Sequence, residues 1–66
     1  MQQPIGETIR QLRRQSSLTQ TELGGTHFSK SYVSAVERTK ITPSIEALHF
    51  FAEQLGHSSD YFIKLR

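Results

Sequence analysis

The sequence predicts an all-α domain of five short helices. Apolar residues recur at three- and four-residue spacings in five separate segments, which is the pattern of helices that bury one face. Residues that start or stop helices separate these segments, and no segment has the pattern of a strand. The 66 residues form one domain with a thin core, because a chain of this size buries only about 60% of the surface that its unfolded form exposes.

The helix boundaries follow from capping residues, breakers and apolar spacing. The predicted helices cover residues 5–15, 19–25, 29–38, 43–55 and 58–65. The inward-facing positions of the first four are predicted at Ile5, Ile9, Leu12, Leu23, Val33, Val36, Ile45, Leu48, Phe51, Ala52 and Leu55. The apolar content of the fifth helix is Tyr61, Phe62, Ile63 and Leu65.

Local capping chemistry supports these boundaries. Thr19 and Glu22 form a capping box, in which the threonine hydroxyl and the glutamate carboxylate each accept a hydrogen bond from the other residue's backbone amide. Ser29 is a good N-cap for the third helix. Pro43 suits the first turn of the fourth helix, where a missing amide proton costs nothing, and Gly56 ends that helix.

Charge is distributed unevenly along the chain. The net charge is +2, of which residues 26–40 carry +2, residues 1–25 carry +1 and residues 41–66 carry −1. The positive excess therefore lies in and beside the predicted third helix. Such an excess suits a polyanionic partner.

Several function classes lack support in the sequence. The chain has no cysteine, and the three histidines, His27, His49 and His57, do not have metal-ligand spacing. No nucleophile elbow, phosphate-binding loop or dinucleotide motif occurs, so we expect neither an enzyme nor a cofactor. No apolar run approaches the roughly 20 residues that a membrane span needs, and the first residues do not form a secretory signal. We therefore expect a soluble, cytoplasmic protein.

The stretch from Thr19 to Lys40 is the most informative part of the chain. It contains two helix starts about ten residues apart, with a break at Gly24 and Gly25 between them. The second helix opens on small polar and basic side chains. A short helix, a turn and a second helix with a polar, basic tip is the arrangement that places a helix end in the DNA major groove.

An ordered set of residues over about positions 5–63 gives this arrangement a family likeness. The set is Leu18-Thr19-Gln20, Glu22-Leu23, Ser29, Val33-Ser34, Val36-Glu37-Arg38, Pro43-Ser44, Leu48, Ala52 and Leu55-Gly56. In these residues the chain resembles the phage-repressor and Cro type of helix-turn-helix domain, also called the XRE type, which has a lambda-repressor-like fold. Further stretches look like a bacterial subgroup in which this domain heads a longer regulator with helical repeats, so we expect an N-terminal domain of such a regulator.

The chain departs from the family pattern in the turn. From Gln20 to Glu37 it is one residue shorter than the commonest family spacing. The family's turn glycine is replaced by His27, which either touches DNA or fills the place of that glycine. The alanine that usually follows Leu23 is Gly24, which still lets the two helices approach closely.

The resemblance implies roles for individual residues. Base edges are expected to be contacted by Lys30, Ser31, Ser34 and Ala35. The DNA backbone is expected to be contacted by Gln20, Ser29, Tyr32, Arg38 and Lys40. Arg13 and Glu37 are expected to pair and support the recognition helix, whereas Arg10 and Arg14 are expected to be solvated. The expected partner is double-stranded DNA with a two-fold operator, bound by a homodimer that forms on the DNA or through a C-terminal region of the longer regulator.

A different class of function stays open from the sequence. Small five-helix domains of this shape also dock protein partners, and an antitoxin-like component would bind both protein and DNA. This alternative predicts an apolar surface around Phe50, Tyr61 and Ile63. It also predicts partner binding that does not depend on Lys30 or Arg38.

Overall fold

The structure is a computed structural model that describes residues 4–65, with side chains through residue 63. These residues form five α-helices and no strand: α1 (Ile5–Gln15), α2 (Gln20–Gly24), α3 (Lys30–Glu37), α4 (Ile45–Leu55) and α5 (Ser59–Leu65). The predicted fold class is confirmed.

Helix starts are set by side-chain caps, mostly where the sequence predicts them. The Thr19 amide donates to the Glu22 carboxylate over 2.8 Å, and the Glu22 amide donates to the Thr19 hydroxyl over 3.0 Å, so the predicted capping box is present. The Ser29 hydroxyl caps α3 by accepting from the Tyr32 amide.

The prediction that Pro43 lies in the first turn of the fourth helix is wrong. Ser44 caps α4 instead, because its backbone is extended (φ −68°, ψ 161°) and its hydroxyl accepts from the Ala47 amide. The helix therefore begins at Ile45, and Pro43 lies buried before the cap. The serine cap satisfies an amide of the first turn, which a proline start leaves to solvent.

Helices α1, α3 and α4 end in the same way, on a residue with left-handed backbone. These residues are Ser17, Thr39 and Gly56, with φ of 59°, 62° and 74°. In each case the next amide donates to a carbonyl five residues earlier, over 2.9–3.1 Å, in the pattern of a Schellman motif. Glycine adopts this conformation without penalty, whereas a side chain costs roughly 1–2 kcal/mol there. A β-branched residue such as Thr39 is an outlier at this position.

The core is apolar and draws on all five helices. Its buried members are Ile9, Leu23, Val33, Val36, Ala47, Leu48, Phe51, Ala52, Leu55 and Phe62. Phe51 and Phe62 are the largest side chains with no exposed surface. Ile45 departs from the prediction, since it is 47% exposed. It is the first residue of α4, so its side chain projects past the end of the buried stripe.

Helix α1 lies directly on the backbone of α3 at Gly6. A Cβ atom at Gly6 would lie 2.0 Å from the Val36 carbonyl oxygen, a distance that no side chain tolerates. This contact brings the polar face of α1 beside the C-terminal end of α3. Sequence patterns gave no indication of this role for Gly6.

The shortened turn between α2 and α3 is closed by one carbonyl and one glycine. The His27 and Phe28 amides both donate to the Gly24 carbonyl, over 3.2 and 3.0 Å. Gly25 supplies the positive φ (56°, with ψ −137°), and His27 is not among the described residues with positive φ. His27 therefore does not take over the backbone role of the family's turn glycine. Its ring instead packs against Phe50, with centroids 4.4 Å apart.

Candidate nucleic-acid interface

An open groove runs along the exposed side of α3, and we call it the outer groove. Its lining residues are Gln20, Lys30, Ser31, Ser34, Ala35, Arg38 and Lys40. All of them carry a predicted contact with DNA. The lining includes three cationic side chains and no acidic one, so the groove has the electrostatics of an anion-binding surface.

The buried positions of α3 determine which side chains face this groove. Val33 and Val36 are buried three residues apart, so the opposite side of the helix faces outward. Lys30 and Ser31 are exposed at the beginning of α3, while Ser34 and Ala35 are half-buried along its flank. The exposed tip therefore combines a long cation with small polar side chains.

Arg13, Gln20 and Glu37 form a polar cluster at the far end of α3. The buried Glu37 carboxylate accepts from Arg13 Nε over 2.6 Å and from the Arg13 terminal nitrogen Nη2 over 3.1 Å. It also accepts from the Gln20 side-chain amide over 3.1 Å. Arg13 donates further to the Leu18 carbonyl over 2.8 Å, so its guanidinium faces the protein on both edges. The cluster joins α1, α2 and α3.

The Gln20 side chain belongs both to this cluster and to the lining of the outer groove. One hydrogen of its amide is used by Glu37, while the side chain also lines the outer groove. The second hydrogen of the same amide is available for another acceptor. Gln20 therefore links the buried carboxylate to the groove surface.

Ser29 and Tyr32 lie away from the outer groove. Tyr32 stacks on Phe28 with ring centroids 5.1 Å apart, and its phenolic oxygen accepts from the Ser44 amide over 3.3 Å. The Ser29 hydroxyl accepts from the Tyr32 amide as the α3 cap. Each hydroxyl keeps a hydrogen to donate, but the structure does not bring these two residues together with the other seven predicted contacts.

Arg38 and Lys40 are both exposed and both line the outer groove. The left-handed conformation of Thr39 reverses the chain between them, and the Lys40 amide donates to the Ala35 carbonyl over 2.9 Å. The Schellman motif at the end of α3 thus adds two cations to the lining of the outer groove.

A second groove lies between α1 and the end of α3, and we call it the flank groove. Its lining residues are Glu7, Arg10, Arg13, Gln20, Ser34, Glu37, Arg38 and Thr39. Gln20, Ser34 and Arg38 line both grooves and form the wall between them.

Arg10 and Thr39 are site candidates that the sequence analysis missed. Arg10 was expected to be solvated, and it is exposed, but it also lines the flank groove. The signal was present in the sequence, because Arg10 precedes Arg13 by three residues and shares its helix face. Thr39 gave no such signal, because its place in the flank groove depends on its left-handed backbone conformation, which the sequence does not reveal.

The described residues contain neither a cluster of potential metal ligands nor a helix that could span a membrane. Residues 4–63 hold no group of three or more His, Asp or Glu side chains placed to bind a metal ion. Among the helices between residues 4 and 65, none has the length and apolar character needed to cross a bilayer.

Known helix-turn-helix proteins are similar to this chain over most of its length. The family model of a helix-turn-helix domain matches residues 4–60. The chain is 36% identical over 59 residues to an uncharacterized HTH-type transcriptional regulator, y4dJ, of Sinorhizobium fredii. The alignment covers 88% of this chain and 77% of that protein. No solved structure gives a significant match.

Proposed function

The chain belongs to the helix-turn-helix domain family, in its XRE-like form, and we propose that it regulates transcription by reading double-stranded DNA with α3 in the major groove. The observation that carries this proposal is the outer groove. Its lining unites seven predicted DNA contacts and three cationic side chains, with no acidic residue. A polar, basic helix face of this kind fits the negative potential and the base edges of a major groove.

The base-reading residues lie along the outward side of α3. Lys30 is exposed at its first turn and would donate to guanine O6 and N7. The Ser31 and Ser34 hydroxyls accept or donate, so they tolerate several bases. Ala35 offers only a methyl group, which suits contact with a thymine methyl.

Three of the five proposed backbone-holding residues, Gln20, Arg38 and Lys40, line the outer groove. Arg38 and Lys40 supply charge at the end of α3, and Gln20 supplies the free hydrogen of its amide. The Ser29 and Tyr32 hydroxyls would reach phosphates only from outside the outer groove. Four or five phosphate contacts give a log–log salt slope of about −4 per monomer.

A single recognition helix reads only a few base pairs, about four to five. Useful specificity therefore requires two copies on a two-fold operator, with half-sites about one DNA turn apart. We include a homodimer on DNA in the proposal for this reason.

Selection from a randomised duplex pool, followed by sequencing of bound DNA at two salt concentrations, tests the proposal. We expect one enriched motif in two inverted copies. Lys30→Ala should flatten the preference at one position, with a loss of about 1–3 kcal/mol of discrimination. Arg38→Ala is the matched control, since it should weaken all sequences alike. The absence of any enriched motif at low salt would contradict sequence-specific binding.

The alternative, docking of a protein partner, has partial support on the surface. Tyr61 and Ile63 are 50% and 36% exposed. Phe50, the third residue of that expected surface, is half-buried and packs on His27 and Phe28. A partner bound equally well by the Lys30→Ala and Arg38→Ala variants would favour this alternative.

A further inference from the structure

We propose that the flank groove is a second DNA-backbone site, in which Arg10, Arg38 and Thr39 hold a phosphodiester group. The inference rests on the proposed function and adds to it a contact surface on α1. Two features of the groove carry it, namely its charge and the unusual backbone of Thr39.

The charge of the groove favours an anion. Arg13 and Glu37 neutralise each other in their ion pair. Arg10 and Arg38 are exposed, and among residues 4–63 neither is in an ion pair. The exposed Glu7 is the remaining acidic residue in the described lining, so two cations against one anion leave a net charge of +1.

Thr39 is the second feature. It occupies the left-handed position of the Schellman motif at the end of α3, with φ of 62°, where the equivalent residue after α4 is Gly56. A glycine at position 39 would remove the strain, but it would also remove the side chain, and with it the hydroxyl, of a residue that lines the flank groove. A strained side chain that lines a basic groove indicates a contact that folding alone does not require.

The position of the flank groove is suited to a phosphate. The wall of Gln20, Ser34 and Arg38 separates it from the outer groove. If α3 lies in a major groove, one strand that borders that groove passes over this wall. The phosphates of that strand then come within reach of Arg10 and the Thr39 hydroxyl on the far side.

The first test compares Arg10→Ala with Arg14→Ala on duplexes with and without the selected site. Both arginines are exposed on α1 and both border the shallow depression beside Glu7 and Gln11, but only Arg10 lines the flank groove. Arg10→Ala should weaken binding to both duplexes by about two- to fivefold and reduce the salt slope by about 1. Arg14→Ala should leave the slope unchanged.

The second test separates contact from stability. Thr39→Gly should raise the melting temperature by about 4–8 °C, because relief of the left-handed strain outweighs the greater freedom of glycine in the unfolded chain, and yet weaken DNA binding. Ser17→Gly is the matched control, because Ser17 has the same backbone conformation at the end of α1 but lines neither groove. It should raise the melting temperature without changing the dissociation constant. Thr39→Ser keeps the hydroxyl and should keep wild-type affinity.

Glu7→Gln adds a test with the opposite sign, since removal of the remaining acidic group should strengthen binding at low salt. Wild-type DNA binding with unchanged affinity and salt slope in both Arg10→Ala and Thr39→Gly would overturn the inference and leave the proposed function standing. A wild-type protein that binds no duplex at low salt would instead overturn the proposed function.

Discussion

The two ends of α3 are held by different kinds of interaction. At its start, the rings of Phe28, Tyr32, Phe50 and Phe51 pack together with centroids 5.1–6.4 Å apart, and His27 covers Phe50. At its end, the buried Glu37 carboxylate accepts three hydrogen bonds from Arg13 and Gln20.

The contrast between aromatic packing and hydrogen bonding indicates how each end of α3 responds to a change in sequence. Apolar packing is non-directional, so the aromatic end tolerates a shorter turn and a replaced glycine. A carboxylate that accepts three hydrogen bonds has a defined geometry. The polar end therefore fixes the position of Glu37, the last residue of α3, and of Arg38, which follows it. The proposed base contacts of Lys30 and Ser31 thus extend from the adaptable end, and the proposed phosphate contacts of Arg38 and Lys40 extend from the fixed one.

The largest expected effect is at the polar end. Glu37→Ala leaves the largely buried Arg13 guanidinium without its partner, which should lower the free energy of unfolding by about 3–5 kcal/mol. Urea denaturation followed by circular dichroism measures this loss. The double variant Arg13→Met with Glu37→Leu is the control, and it should recover much of the stability because no charge is left unpaired. A loss below about 1 kcal/mol for Glu37→Ala would place this ion pair among ordinary surface pairs.

A smaller effect is expected at the aromatic end. Phe50→Ala removes a half-buried ring with three aromatic neighbours, and should cost about 2 kcal/mol of the free energy of unfolding. Phe50→Leu keeps most of the apolar surface and should cost less than half of that. Equal losses for the two variants would show that ring geometry, rather than buried area, holds this end.

The smallest effect is expected at the turn residue itself. His27→Gly restores the family's residue, but it removes the stack on Phe50 and gives no backbone relief, because His27 does not have positive φ. We expect a loss of about 1 kcal/mol, from the lost ring contact and from the greater freedom of glycine in the unfolded chain. Thermal unfolding measures it, and a gain in stability would mean that position 27 needs left-handed backbone.

Features encoded in short stretches of sequence were predictable. The capping box at Thr19 and Glu22, the cap at Ser29 and the stop at Gly56 depend on neighbouring residues, and all are present. Apolar spacing likewise identified the buried residues of α3 and most of those of α4. The start of α4 was misplaced because Pro43 and Ser44 both signal a helix start, and the serine hydroxyl determined the cap.

Features set by tertiary structure were not predictable in this way. The left-handed angles of Ser17 and Thr39 belong to residues that rarely adopt them, so composition gives no warning. The role of Gly6 depends on the Val36 carbonyl, which is thirty residues away in sequence. The outer groove followed from the family resemblance, whereas the flank groove required the packing of α1 against α3.

The length of α3 has a consequence for temperature. Its eight residues make little more than two turns, whereas an isolated helix in water needs about 12–15 residues to be marginally stable. The recognition surface therefore exists only while the domain is folded, and we expect operator binding to disappear in the same cooperative transition as the core. Bound DNA would in turn stabilise the folded domain. At a duplex concentration 100 times the dissociation constant, it would raise the free energy of unfolding by about 2.7 kcal/mol.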